Sequence, residues 1–201
     1  MLHILGRLQK YRLPKKKVPT EPKEEPSPFE ELQRNYVSFC KNKIGTEYRT
    51  RIILQEFEEL IRIPGLTHIS FRVAGSDLEL MLGTACVILT NPYTHKRHKI
   101  GEFIITINRA MKSIKFENVT NPLRIQHENT DSISIYHHPH INGAGDICMY
   151  VGRQEMMYDL VEGSIHKVAE IAVRSLWTLD EHPFKELENW PVVKETSDGT
   201  T

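Results

Sequence analysis

The dipeptide Pro64-Gly65 divides this chain into two kinds of hydrophobic periodicity, and that division constrains the fold more than any other feature. Upstream, apolar residues keep a helical interval. Ser27-Pro28-Phe29-Glu30 has the form of a helix start, with Ser as N-cap, Pro in the first helical position and acids in the first turn. Leu32, Tyr36 and Phe39 follow at helical spacing as far as Gly45. A second helix is expected to open near Thr46-Glu47, with Ile52, Ile53, Phe57, Leu60 and Ile61 as its stripe, and Pro64-Gly65 stops it. Downstream the period shortens. His68 to Val73 alternates and turns at Gly75-Ser76-Asp77, and Leu78 to Thr90 reads as one long apolar strand broken by Asn91-Pro92-Tyr93. Ile100 to Ile107 is a third strand. Ser113 to Val119 is a fourth, which Ser132 to Tyr136 continues after a polar insertion. Successive strands at hairpin spacing build an antiparallel meander, and helices before and after it make the class α+β.

Beyond Cys148 the helical pattern returns. Tyr158, Leu160, Val161, Ile165, Val168, Ala169, Ile171, Ala172, Leu176 and Trp177 form an apolar segment ending near Leu179, expected to pack over the sheet. The predicted organisation is a flexible Lys/Pro-rich leader over 1–27 and an N-terminal helix over 28–45. An α+β domain over 46–182 and a short amphipathic segment with a polar tail over 183–201 complete it. The leader carries Lys15-Lys16-Lys17 and then Pro19, Pro22, Glu24, Glu25 and Pro26, with almost nothing to bury. It reads as a solvated arm or as a basic docking arm.

The balance of 26 basic against 26 acidic residues argues against nucleic acid as a partner. The apolar start, Met1 to Leu8, is too short for a signal-peptide core, and no later window approaches a membrane span. Cys40, Cys86 and Cys148 are few, odd in number and lack a Cys-x-x-Cys pair, which points to a reducing, cytoplasmic setting. Sequence gives no phosphate-cradling loop, dinucleotide fingerprint or Gly-x-Ser-x-Gly, so no cofactor is expected. His137, His138, His140 and Cys148 invite a metal reading, but Pro139 divides the cluster and no paired Cys or helix-borne His pair supports it. Cys40 on a helical face and Cys86 inside an apolar strand are expected to be structural, and His95 to Lys99 to form a solvated basic hairpin tip.

The segment Tyr136-His137-His138-Pro139-His140-Ile141-Asn142-Gly143-Ala144-Gly145-Asp146-Ile147-Cys148-Met149 carries the chemistry. Its His-Pro dipeptide stands ten residues ahead of a Cys set between Ile and a large apolar residue. It resembles the active-site segment of ubiquitin-conjugating (E2) enzymes, in which His-Pro-Asn leads through Ile-Asn and a glycine turn into Ile-Cys-Leu. Asn91-Pro92-Tyr93 followed by Gly101-Glu102-Phe103 is similar to that family's Ser-Pro-Tyr-x-Gly-Gly-x-Phe hairpin. The resemblance covers about residues 46–180 and implies the E2 fold: a four-stranded meander with helices packed before and after it, here with an extra N-terminal helix. Departures are His140 for Asn, Tyr150-Val151-Gly152-Arg153 where the family has a Trp, and a polar stretch from Asn121 to Asp131 for its Pro-rich link. The two further C-terminal helices of eukaryotic members have no counterpart in the sequence, so the resemblance is to a reduced, prokaryotic or viral type.

The resemblance implies a thioester carrier with Cys148 as nucleophile, which must be exposed and able to form a thiolate. The glycine turn before it suits an exposed sheet edge. His140 would replace the family's oxyanion donor through a ring N–H, strengthened by protonation near neutral pH. His138 would be structural, bonding nearby backbone, and Asp146 would lie near the acceptor amine. The partners implied are a ubiquitin-like modifier and an E1-like activator. The alternative is a non-catalytic E2-like module that holds protein partners in a larger, viral or plasmid-encoded assembly.

Overall fold

The computed structural model describes residues 27–40, 47–75, 77–128, 130–148, 152–180 and 182–193. The leader ahead of Ser27, the residues around Gly45 and the polar tail lie outside the described residues. Helix α1 (Pro28–Cys40) opens with a reciprocal cap: the Glu30 N–H donates to Ser27 Oγ at 3.2 Å, and the Ser27 N–H to Glu30 Oε2 at 2.9 Å. Its buried face presents Tyr36, Phe39 and Cys40. Tyr36 and Phe29 both meet Phe57 of α2 (Glu47–Leu60), at ring distances of 5.1 and 5.9 Å.

The main sheet has four antiparallel strands in the order β1 (Leu66–Ala74), β2 (Asp77–Thr84), β5 (Phe103–Asn108) and β6 (Ser113–Asn118). Between β2 and β5 the chain makes a separate hairpin of β3 (Val87–Thr90) and β4 (Arg97–Gly101). Neither of the two long strands expected from the sequence is continuous. The first breaks at Ala85-Cys86, because the Ala85 N–H turns to the Gly65 carbonyl at 2.8 Å and Thr84 Oγ1 takes the Phe103 N–H at 3.1 Å. Cys86 therefore lies in the break, outside any strand. The second breaks at Gly101, whose φ of +133 suits glycine, and a Cβ there would meet Asn118 Oδ1 at 2.6 Å. His98 is also corrected. It is buried on β4 and not in a solvated tip, with Nδ1 bonded to the Trp190 carbonyl at 2.9 Å.

A three-stranded sheet follows: β7 (Leu123–Gln126), β8 (Ile133–His138) and β9 (Ile141–Asn142). The expectation that residues 132–136 extend the fourth strand fails. Asn118 turns the chain out of β6, its Oδ1 accepting the N–H groups of Thr120 and Asn121 at 3.2 and 2.8 Å. The polar stretch then supplies β7 as the hairpin partner of β8. The same Asn118 joins the two sheets, since its Nδ2 donates to the carbonyls of Ile100 and His137 at 2.8 and 2.9 Å.

The expected single helix after Cys148 is two. Helix α3 (Arg153–Glu162) ends at Gly163, which adopts a left-handed φ of 87 and returns its N–H to the Asp159 carbonyl. Helix α4 (Ile165–Ser175) then buries Ile165, Val168, Ala169, Ile171, Ala172 and Val173. Tyr158 and Val161, placed by the pattern in the stripe, are exposed on α3. His166 of α4 reaches Glu56 and Glu59 of α2 at 3.6 and 3.3 Å, fastening the helical layer. The segment from Phe184 to Trp190 forms only a short helical turn at Leu187–Asn189. The core joins Leu80, Leu82, Ile105, Ile107 and Phe116 of the sheet to Tyr36, Phe57, Leu60 and the α4 face. No helix among the described residues is long and apolar enough to cross a membrane.

Leu80 is fully buried and Val73 is 73% exposed, though both belong to the β1–β2 hairpin. Leu80→Ala is expected to lower unfolding stability by about 2–5 kcal/mol and Val73→Ala by no more than about 0.5 kcal/mol, as read from urea midpoints.

Candidate functional site

From β8 the chain passes through His138-Pro139-His140 into β9 and folds back at once. Ile141 pairs with Ile147, the Asn142 N–H donates to the Asp146 carbonyl at 3.1 Å, and the Cys148 N–H to the His140 carbonyl at 2.9 Å. Asn142 shapes the turn: its Oδ1 accepts the N–H groups of Ala144 and Asp146 at 2.9 and 3.0 Å. The glycines let the turn lie flat on two strands. A Cβ at Gly143 would stand 2.5 Å from the Ile135 carbonyl, and one at Gly145 (φ +76) would stand 2.7 Å from that of Phe116. The Phe116 N–H in turn donates to the Gly145 carbonyl at 3.0 Å.

This return brings His138, His140 and Cys148 together. Cys148 Sγ lies 3.4 Å from His140 Nδ1, and the two histidine rings are 5.9 Å apart. Backbone partners fix both tautomers. The N–H of His140 donates to His138 Nδ1 at 3.1 Å, so that Nε2–H of His138 donates to the Leu176 carbonyl at 3.0 Å. The N–H of Asp180, in the segment after α4, donates to His140 Nε2 at 2.9 Å. In its neutral form His140 therefore carries its proton on Nδ1, pointed at the sulfur.

Two expectations change. Cys148 is not at an exposed edge: it is 7% exposed, because the glycine turn closes into a short ladder that carries it inward. His140 is not a group readily protonated near neutral pH. Burial pushes its pKa below the usual histidine value, partly offset by the nearby Asp180 carboxylate. Its donor is the neutral imidazole N–H. His138, fully buried, is pushed down to about 3 by desolvation and by its neighbour His140. Asp146 is engaged elsewhere, with Oδ1 2.7 Å from Lys115 Nζ on β6. His137 faces away from the pair, its Nδ1 accepting the Asn118 N–H at 3.0 Å. Among the described residues, no group of three or more His, Cys, Asp or Glu side chains is placed to hold a metal ion.

Set against known protein families, curated proteins and solved structures, the chain matches none.

The sequence did not disclose Asp180 or Lys115. Asp180 acts through its main-chain N–H, which no residue type announces, and Lys115 is one of many strand lysines until Asp146 is placed beside it. Asn118 had a weak signal, an amide ending an alternating strand next to Val119-Thr120-Asn121.

A histidine whose folded-state pKa is depressed binds fewer protons folded than unfolded, so its stabilisation is complete above the unfolded value near 6.5 and is lost on acidification. For His138 that loss runs from about 6.5 down to about 3, and His137 and His140 are lowered in the same sense. Unfolding free energy is expected to fall by up to about 1.4 kcal/mol per pH unit from His138 alone across that window. His138→Gln should flatten the slope in a urea-midpoint series against pH.

Proposed function

We propose that this chain is an E2-like carrier that holds a ubiquitin-like modifier as a thioester on Cys148 and passes it to an amine. The reading is carried by one observation: a Cys set 3.4 Å from an imidazole N–H whose tautomer is fixed from behind by a backbone donor. The Cys148 thiolate attacks the thioester carbonyl of a modifier carried by an E1-like activator, and the activator's thiol departs. An acceptor amine then attacks the Cys148 thioester, loses its proton to solvent and releases the Cys148 thiolate. His140 Nδ1–H stabilises the thiolate before each acylation and after each transfer, as a charge-assisted donor to sulfur. His138 acts by holding the His140 backbone. The order of helices and antiparallel strands around the His-Pro-His turn supports an E2-like fold for the chain.

A second reading, a non-catalytic E2-like module in a larger assembly, is favoured by the burial of Cys148 at 7% exposure. Free Cys often serves as a small buried apolar residue.

Incubating the tagged full chain with ATP and a lysate of its host separates the two. The carrier reading expects an adduct that disappears under thiol reduction and in Cys148→Ala. In Cys148→Ser the adduct should persist as a thiol-resistant ester. His140→Ala should slow adduct formation by about 100-fold or more, and His140→Asn, which returns an N–H donor, by less. A Cys148 inert to alkylation in the folded protein, with no adduct, would leave the non-catalytic module.

A further inference from the structure

A cavity of about 660 Å³ opens between Asn91 to Tyr93, Pro139 and the segment after α4. Its apolar surface includes Pro92, Tyr93 and Pro139, and its charge comes from Asp180, Glu186 and Glu188. No Lys or Arg lines it among the described residues. Glu186 and Glu188 are exposed, and the Tyr93 ring is 89% exposed beside them. Glu188 is held by the Asn91 amide, which fixes one carboxylate at the wall. The occupant this chemistry fits is an extended, cationic chain segment with apolar residues between its charges.

The chain owns such a segment. Residues 1–20 carry Arg7, Lys10, Arg12, Lys15, Lys16 and Lys17 and no acid, with Leu13, Pro14, Val18 and Pro19 interspersed. We propose that this basic leader docks in the acidic cavity of its own chain, Lys15 to Lys17 meeting Glu186 and Glu188. Length permits it. Lys17 and Lys10 precede Ser27 by ten and seventeen residues, which reach at most roughly 35 and 60 Å. A domain of this size has a radius of gyration of about 16 Å. The apolar walls receive the Leu13-Pro14 and Val18-Pro19 pairs, and the Tyr93 face offers a cation–π contact to whichever Lys is nearest. The proposal stands apart from the thioester reading, since it uses neither Cys148 nor His140.

A zero-length carbodiimide cross-link on the full chain tests it, with an equal mixture of isotopically light and heavy protein to separate contacts within a molecule from contacts between molecules. Lys10, Lys15, Lys16 or Lys17 should join to Glu186 or Glu188 within one molecule. The yield should drop about tenfold at about 0.5 M salt, where the screening length falls to roughly 4 Å. In Glu186→Lys, tryptic cleavage at Lys15 to Lys17 should quicken about fivefold, the scale of one exposed ion pair. Cross-links confined to the leader's own Glu21, Glu24 and Glu25 would overturn the proposal. So would cross-links found only between molecules, which would place a second copy's leader there, or an unchanged cleavage rate in Glu186→Lys.

Discussion

The buried amide of Asn118 is the contact on which the arrangement of the sheets depends. One side chain ends β6, caps the turn into Thr120 and Asn121, and ties the Ile100 carbonyl of one hairpin to the His137 carbonyl of the next sheet. The bond to the Ile100 carbonyl is buried, and leaving that group without a partner would cost about 1–3 kcal/mol. The His-Pro-His turn starts from β8, so its height above the main sheet is set by this amide. The glycines of the following turn then let it settle against Ile135 and Phe116.

The chemistry of the turn follows from what surrounds it more than from the residues in it. A Cys–His pair is commonly read as nucleophile and base. Here the ring nitrogen facing sulfur holds the proton of the neutral ring, because the other nitrogen is occupied by the Asp180 N–H, and burial favours that neutral form. The pair is placed to stabilise negative charge on sulfur, and in the proposed transfer the proton of an incoming amine leaves by another route.

The sequence made some of this legible. The capping residues of α1 carry a local signal that the structure follows, and α2 stops at Leu60, one turn before the Pro64-Gly65 breaker. The alternation from His68 onward marked strands correctly as antiparallel hairpins. What it could not mark were the breaks at Ala85-Cys86 and Gly101, because both are imposed by groups distant along the chain, the Gly65 carbonyl and the Asn118 side chain. Gly163-Ser164 was a readable stop between α3 and α4, and the apolar run across it masked it. The association of His138, His140 and Cys148 was implied by the resemblance of their segment to the E2 active site. The inward position of Cys148 was not, since it depends on a ladder of only a few residues closing behind it.

The segment after α4 also gives Pro139 two donors, the N–H groups of Phe184 and Lys185 at 2.7 and 3.3 Å, beside the Asp180 bond to His140. This stretch of chain is thus clipped to the His-Pro-His turn at adjoining points. Lifting it would strip Nε2 of its donor and let the imidazole move its proton there, turning the nitrogen beside sulfur from an acid into a base. A peptide segment bonded to the far nitrogen of the ring would in that way decide which half of an acid–base pair the thiol meets.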